Sequence, residues 1–424
     1  MIETDVCIIG AGPAGIMAAC AAAAGTNKVV VLESNSTAGR KLLLTGRGRC
    51  NLTHIGSTDE IIKAYKPFDR FVRHCIYEFP PQKLRDFFDH HGLETIVEQT
   101  GCVFPKTNRS SDVCRILTEE LKKANVKIFY GTKINSIKKT GNFFTIESDK
   151  FTISAESLII ATGGVSWPQT GSTGDGYKFA QSLGHKIITP RACLIPLVTA
   201  EKFCSALAPL ETSCPRRPSG IINALSLTGL AGIGIQNVVI SRKTGGKKIS
   251  SSGAMIFTHN GIGGPAVLDF SRLMTGKFGE ISIDFLPDLD AAELNRRLYE
   301  NSRQSAAAIL CRFLPKAVVG RITEVKSDQI DKKTRKNIVG RLKNFPLTIS
   351  GTEPIEKATV TGGGVDNSEI DPKTMESKLC KGLFFAGEVI DVDGPCGGYN
   401  LQFAFSSGFL AGKSTARLYS QAKF

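Results

Sequence analysis

Close to the amino terminus the chain reads Gly10-Ala11-Gly12-Pro13-Ala14-Gly15, and Glu33 with Ser34 follows at the end of the next apolar run. Glycines at that spacing permit a tight turn, let backbone approach a pyrophosphate, and let a helix pack closely on a strand. A carboxylate 23 residues after Gly10 is placed to accept hydrogen bonds from a ribose hydroxyl and to repel a 2′-phosphate. Gly10, Gly12, Pro13, Ala14, Gly15, Glu33 and Ser34 are therefore candidate contacts to a dinucleotide.

The elements that must hold these residues follow from periodicity. Residues 6–9 and 29–33 read as buried strands and 16–24 as an Ala-rich helix, a βαβ unit. A helix is expected over 110–124, with a strand at 126–130 and a small antiparallel meander near 133–139, 143–148 and 150–154. Another buried strand, 158–161, ends in Ala161-Thr162-Gly163-Gly164, and Thr173 and Asp175 precede a helix over 175–183. Late in the chain, residues 383–386 form a short apolar run ending in Gly387-Glu388, and a Gly-rich turn leads into a helix over 401–417. A simple NAD domain lacks that late return, so FAD is the dinucleotide expected.

Arg40, Lys41, Thr45, Gly46, Arg47, Arg49, Cys50 and Asn51 crowd one loop. Its cations suit a pyrophosphate or a reduced flavin; two of the four are expected to serve and the rest to be solvated. Glu388 is placed to reach a ribityl chain or the pyrophosphate. Gly397 and Gly398, with Asp393 before them and Leu401 after, open a helix whose positive end would face the flavin N1 and C2 carbonyl. His259 precedes a Gly-rich turn and is a candidate acid or base, against the plainer reading of a hydrogen-bonded loop histidine. Tyr399 and Asn400 are candidates for orienting substrate. The sole tryptophan, Trp167, reads as packing more than as a cofactor contact.

Composition bounds the answer further. The 424 residues are 42% hydrophobic and 22% charged, a globular balance for two or three domains. No run approaches the ~18 to 20 apolar residues of a membrane helix, and the first strand begins almost at Met1, so a cytoplasmic protein without a signal peptide is expected. Twelve cysteines are scattered with no Cys-x-x-Cys and no Cys/His cluster, which points to reduced thiols, no metal and no redox disulfide. The net charge of +14 is read as a solvated basic surface, with residues 326–343 the one notable charge run; a nucleic-acid partner is not expected, and the oligomeric state is open.

Between about 194 and 355 the texture changes to Gly-punctuated β-like segments, such as 224–227 and 238–241, and then to helical sequence such as 291–303. The expected fold is α/β: a discontinuous two-dinucleotide-binding, Rossmann-like FAD domain over 1–193 and 356–424, an inserted β-rich domain over 194–275, and a mainly helical subdomain over 276–355.

Four blocks carry a family resemblance: the run from Arg40 to Thr53, Thr170 to Tyr177, Thr258 to Pro265, and Gly387-Glu388-x-x-Asp391-x-Asp393-Gly394-x-x-Gly397-Gly398-Tyr399-Asn400-x-Gln402. The chain resembles, over nearly its whole length, the BaiN/YhiN-type flavoproteins, described as aminoacetone-oxidase-like or NAD(P)/FAD-dependent oxidoreductases. The resemblance implies noncovalent FAD under a β-rich and a helical insertion, and reduction of an activated C=C bond in a small organic substrate or oxidation of an amine. No second strand-GxGxxG-helix unit occurs, so NAD(P)H is expected to bind only transiently at the flavin face. Transfer-RNA modification and a non-catalytic flavin-loaded protein are the competing readings.

Overall fold

The computed structural model describes residues 1–421 apart from 27, 202–228, 275, 277, 302–303 and 323–330. The chain divides into two compact units, Met1–Cys193 with Ile355–Phe424, and Leu194–Pro354.

The first unit begins β1 (Ile2–Ile9), α1 (Pro13–Ala22), β2 (Val29–Leu32). Between residues 42 and 105 it makes a 3-10 turn, three helices (Thr58–Ala64, Asp69–Glu78, Pro81–His90) and a small sheet of Thr53–His54, Thr95–Val97 and Cys102–Pro105. Then come α2 (Ser110–Lys123), β3 (Lys127–Phe129), β4 (Ile134–Thr140), β5 (Phe143–Ser148), β6 (Thr152–Ile160), α3 (Asp175–Ser182) and β7 (Ile187–Cys193).

In the second unit, β8 (Leu197–Thr199), β9 (Gly234–Thr244), β10 (Lys247–Phe257) and β11 (Gly261–Gly263) precede α4 (Pro265–Leu273) and β12 (Gly279–Asp284). After these come α5 (Ala291–Glu300), two short helices, α6 (Lys332–Lys343) and β13 (Phe345–Thr352). The chain returns to the first unit through β14 (Val360–Val365), β15 (Leu383–Phe385) and α7 (Tyr399–Gln421).

The main sheet has the order β3-β2-β1-β6-β5-β4, and β15 pairs with β6. β3, β2, β1, β6 and β15 are parallel to one another. β2, β15 and the last four residues of β1 and of β6 are buried continuously, as strands covered on both faces must be, whereas the edge strand β3 is not. The meander runs β4-β5-β6, but its third strand and the expected buried strand at 158–161 are one element: β6 is continuous over nine residues, antiparallel to β5 along its first part and parallel to β1 along most of its length.

α7 lies across α1 with almost no side chain between them. A Cβ on Gly408 would stand 2.2 Å from Ala14 O and one on Gly412 2.1 Å from Ala18 O. Glycines four apart on α7 against alanines four apart on α1 bring two backbones together, and this is what the glycines of the last helix do.

The second unit corrects the expected division at 275/276. Its strands close a barrel in the order β8-β11-β10-β9-β12-β13, so β12 and β13, from the segment expected to be mainly helical, complete the same sheet as the segment expected to be β-rich. Apolar residues at alternate positions, such as Ile281 and Ile283 in β12 and Phe345, Leu347 and Ile349 in β13, fill it, and Leu294, Leu298, Ile338 and Leu342 of the helices pack on the same core. The segment 224–227, the end of the expected helix at 302–303, and 326–330 of the basic run lie outside the described residues. Among the described residues no helix is long and apolar enough to cross a membrane.

Candidate functional site

Because β1, β2, β6 and β15 are parallel and adjacent, their carboxyl ends share one edge of the sheet. The loops after them are Gly10–Gly15, Glu33–Ser34, Ala161–Gly164 and Gly387–Glu388, so the topology alone gathers the four motifs, at the edge where open α/β sheets hold ligands.

The turn between β1 and α1 separates its glycines by role. A Cβ on Gly10 would lie 2.5 Å from Ala161 O and one on Gly15 1.9 Å from Gly10 O, whereas one on Gly12 meets nothing within 4 Å. Gly10 and Gly15 let strand, turn and helix touch; Gly12 leaves space. α1 has no side-chain cap and Pro13 opens it, so the first-turn N–H groups, Ala14 and Gly15 among them, lack a capping acceptor and face that space with the positive end of the helix. An anion fits there. Glu33 is 7% exposed; its Oε2 accepts from Ala11 N at 2.8 Å and its Oε1 from Asn35 N at 2.8 Å. It holds the turn in shape and retains lone pairs for a ribose hydroxyl. Ser34 is exposed beside it.

Glu388 stands at the other end of this edge. Lys41 Nζ donates to its Oε2 at 2.5 Å, and Ser166 Oγ and Thr361 N donate to its Oε1 at 3.0 and 2.8 Å. Burial pushes this carboxyl up, but Lys41, Thr361 N–H and Ser166 together outweigh burial and hold it below the usual range. Lys41 is thus one of the loop cations with a structural partner in the site.

The others diverge. Arg49 lies 2.6 Å from Glu98 and stacks over the Phe104 ring at 4.0 Å. Arg40 is exposed and donates to Asn35 Oδ1, and Arg47 is exposed with φ +58°.

α7 begins where two backbone segments meet. A Cβ on Gly398 would be 2.5 Å from Thr53 O, and the Asn51 amide bridges them, donating to Thr53 O and Val103 O and accepting from Gly398 N at 3.2 Å. Tyr65 Oη donates to Tyr399 O at 2.6 Å, and His54 stacks on the Tyr399 ring at 5.1 Å between centroids. Leu401, half-buried, packs on the core.

The other expected residues have these partners. Asn400 accepts from Gly394 N and donates to Gly394 O and Pro395 O, clasping the turn before α7. Asp393 is 1% exposed and paired with Arg191 at 2.9 Å. Cys50 is fully buried, and burial pushes its thiol up to about 12, which leaves it a packing group. Thr173 and Asp175 bond each other at 2.7 Å at the start of α3. Thr45 closes its own turn by donating to Leu42 O, and Gly46 stands at φ +57°. Thr162 Oγ1 is buried without a hydrogen-bond partner. His259 lies in the other unit, exposed between β10 and β11.

Sequence reading missed β14. Its Thr361-Gly362-Gly363-Gly364 run is wholly buried; Thr361 supplies the N–H to Glu388 and its Oγ1 accepts from Val165 N and Ser166 N. A Cβ on Gly362 would strike the Arg191 guanidinium at 2.7 Å. Three glycines inside an apolar run are the signal, since they weaken a strand unless something must approach closely.

The family model described as HI0933-like protein, Rossmann domain, matches residues 4–414. The chain belongs to the HI0933-like family. A 3-dehydro-bile acid delta(4,6)-reductase of Clostridium scindens is 31% identical over 96% of this chain and 98% of the relative. A ribosomal RNA dihydrouridine synthase of Escherichia coli is 31% identical over 96% of each chain, and one of Haemophilus influenzae 31% over 97% of this chain and 98% of the relative. Among solved structures, an E. coli quinol fumarate reductase chain covers 99% of this chain and 71% of its own, at TM-score 0.52 and 14% identity, a likeness of fold. This HI0933-like chain is an FAD-dependent oxidoreductase.

Proposed function

We propose that the protein reduces a carbon–carbon double bond conjugated to a carbonyl group. The observation that carries this reading is a shared reaction. A delta(4,6)-reductase of a 3-dehydro acid and a dihydrouridine synthase act on different molecules, yet both reactions saturate a C=C bond within reach of a carbonyl. Bound FAD would supply the hydride to the carbon β to the carbonyl, a proton adds to the α carbon, and the two electrons lost are restored by NAD(P)H binding transiently.

The chain's own part is to bind and position. The uncapped start of α1 above Gly12 would hold the pyrophosphate and Glu33 the ribose, and Lys41 with Glu388 would hold the ribityl region. The start of α7 at Gly398 would turn its positive end toward the flavin ring, which gathers negative charge on reduction. Tyr399 is the proposed proton donor.

The test is anaerobic mixing of the protein with NADH and NADPH, then with a steroid-like enone. Bleaching of the flavin followed by its return with the enone, and a product gaining two hydrogens, supports the reading. Reduction of the oxidised flavin by an amine followed by reoxidation with oxygen, with the enone inert, replaces it.

A second reading places the conjugated bond in a uracil ring of RNA. It is favoured by the two full-length relatives named for that reaction and by the net charge of +14, and it departs from the expectation that nucleic acid is not a partner.

A further inference from the structure

The positive charge is unevenly spread. Residues 194–354 hold 22 Lys and Arg against 13 Asp and Glu, so they carry +9 of the +14. Within them the β9–β10 hairpin has a tip of unusual chemistry. Gly245 and Gly246 stand at φ +56° and +79°, the two-residue turn with both central residues left-handed that gives a stiff, well-registered hairpin.

Around that turn Lys243 faces Lys248 directly and Thr244 faces Lys247, with Arg242 opposite Ile249. β12 pairs with β9 only at Val239–Ser241, and β11 with β10 only at Ile256 and Phe257. Among the described residues the ribbon from 243 to 248 therefore extends past β11 and β12, with Arg242 and Ile249 at its base. Lys243, Lys247 and Lys248 are exposed, and among the described residues none has an ion-pair partner.

Two lysines directly opposite one another destabilise a ribbon, and among the described residues no carboxylate relieves them. A solvated face has no need of that arrangement, whereas a polyanion laid across the tip would neutralise both at once. Arg242, whose guanidinium donates to Phe278 O at 2.8 Å, ties the base of the ribbon to the barrel and keeps the tip aimed.

We propose that the β9–β10 tip is a docking surface for RNA backbone phosphates, contacted by Lys243, Lys247 and Lys248. It rests on the second reading above, in which the reduced bond lies in a uracil ring of RNA, and adds to it the place where the strand is gripped outside the reacting centre. Phosphate contacts of this kind set affinity and register without reading sequence.

The experiment is binding of a labelled single-stranded RNA to the full-length FAD-loaded protein across a salt series. The variants are Lys243→Thr/Lys247→Thr/Lys248→Thr and a charge-matched control, Lys63→Gln/Lys122→Gln/Lys373→Gln, drawn from exposed lysines of the first unit. Threonine suits a strand and removes the facing charges, so the hairpin variant keeps or raises the melting temperature.

Three lost contacts lower the slope of log affinity against log salt by about 2 and weaken binding at low salt by about tenfold or more, while the control changes less than about twofold. Equal loss in both variants, or an unchanged slope, overturns the proposal. So does a loss confined to anionic phosphatidylglycerol vesicles with RNA binding intact. Enone turnover is measured alongside and should be the same in all three proteins. If wild type lacks enone turnover while the salt slopes differ as stated, only the enone substrate fails and the docking surface stands. If wild type also forms no dihydrouridine in that RNA, reduction of a uracil bond fails while the salt slopes still decide the docking surface.

Discussion

Lys41 Nζ lies 2.5 Å from Glu388 Oε2, joining the loop after β2 to the turn before α7 across 347 positions of sequence. Both side chains keep about a fifth of their surface exposed, 22% and 20%, so the pair is enclosed by protein yet open on one side to a ligand. Removing the cation leaves a half-buried carboxylate held by Ser166 and Thr361 alone. Lys41→Met is expected to cost about 1–3 kcal/mol in chemical denaturation, between the values for exposed and buried pairs. Lys41→Met/Glu388→Gln should recover more than half, because no stranded charge remains. Equal losses in both would mean that the pair contributes through packing and not through charge.

The same carboxylate sets a dependence on acid. Burial raises it, but Lys41 and its hydrogen-bond donors hold it below the ordinary value of 4.5. A group whose folded value is depressed gives stability that is fully present above its unfolded value and is lost as the pH falls through the folded one. The melting temperature should therefore drop as pH falls below about 4.5, with a shallower drop in Glu388→Gln over the same window. Parallel curves for the two proteins would contradict the assignment.

The two helix-turn glycines make opposite predictions. Gly12 has extended backbone, φ −82° and ψ −179°, and open space at its Cβ position. Gly12→Val should therefore fold with an apo melting temperature near that of wild-type apoprotein, yet purify colourless, because the valine fills the space meant for the pyrophosphate. Gly15→Val meets Gly10 O and should fail to fold. A yellow Gly12→Val protein would show that FAD is not seated on this turn.

Much of this site is legible in sequence because its parts are local. The turn at 10–15, Glu33 and the ends of β6 and β15 each follow from a strand, a glycine pattern and a helix within a few residues. What escapes is whatever depends on long-range pairing. Thr361 and Arg191 reach the site only because β7 and β14 pair antiparallel, Cys193 opposite Val360. The partner of Asp393, Arg191, lies 202 positions away and could not be read from local pattern. The break expected between 154 and 158 had the same cause: β6 changes from antiparallel to parallel neighbours, and its mixed side chains record two environments in one strand. In the barrel, β12 and β13 are separated by helices in sequence, so their membership of one sheet is a matter of closure and not of local pattern.

Adjacent residues at the start of α7 should separate by function. Asn400→Ala removes the bonds to Gly394 and Pro395 and is expected to cost about 1–3 kcal/mol and to weaken FAD retention. Tyr399→Phe keeps the ring on His54 and the backbone bond from Tyr65, and it should lose turnover at the protonation step, seen as a lower kcat with KM little changed. A Tyr399→Phe with unchanged kcat, or an Asn400→Ala that retains FAD and melts as wild type, would reverse the assignments made from geometry.

The most direct test of the central claim is single-turnover reoxidation. The protein's flavin is reduced chemically without oxygen, mixed with a conjugated enone or with a uracil-containing RNA, and followed by its visible absorbance while the product is weighed by mass spectrometry. Return of the oxidised spectrum, with one substrate bond gaining two hydrogens per flavin, is the outcome predicted. A flavin that stays reduced with both substrates and reoxidises only in air would contradict reduction of a conjugated double bond.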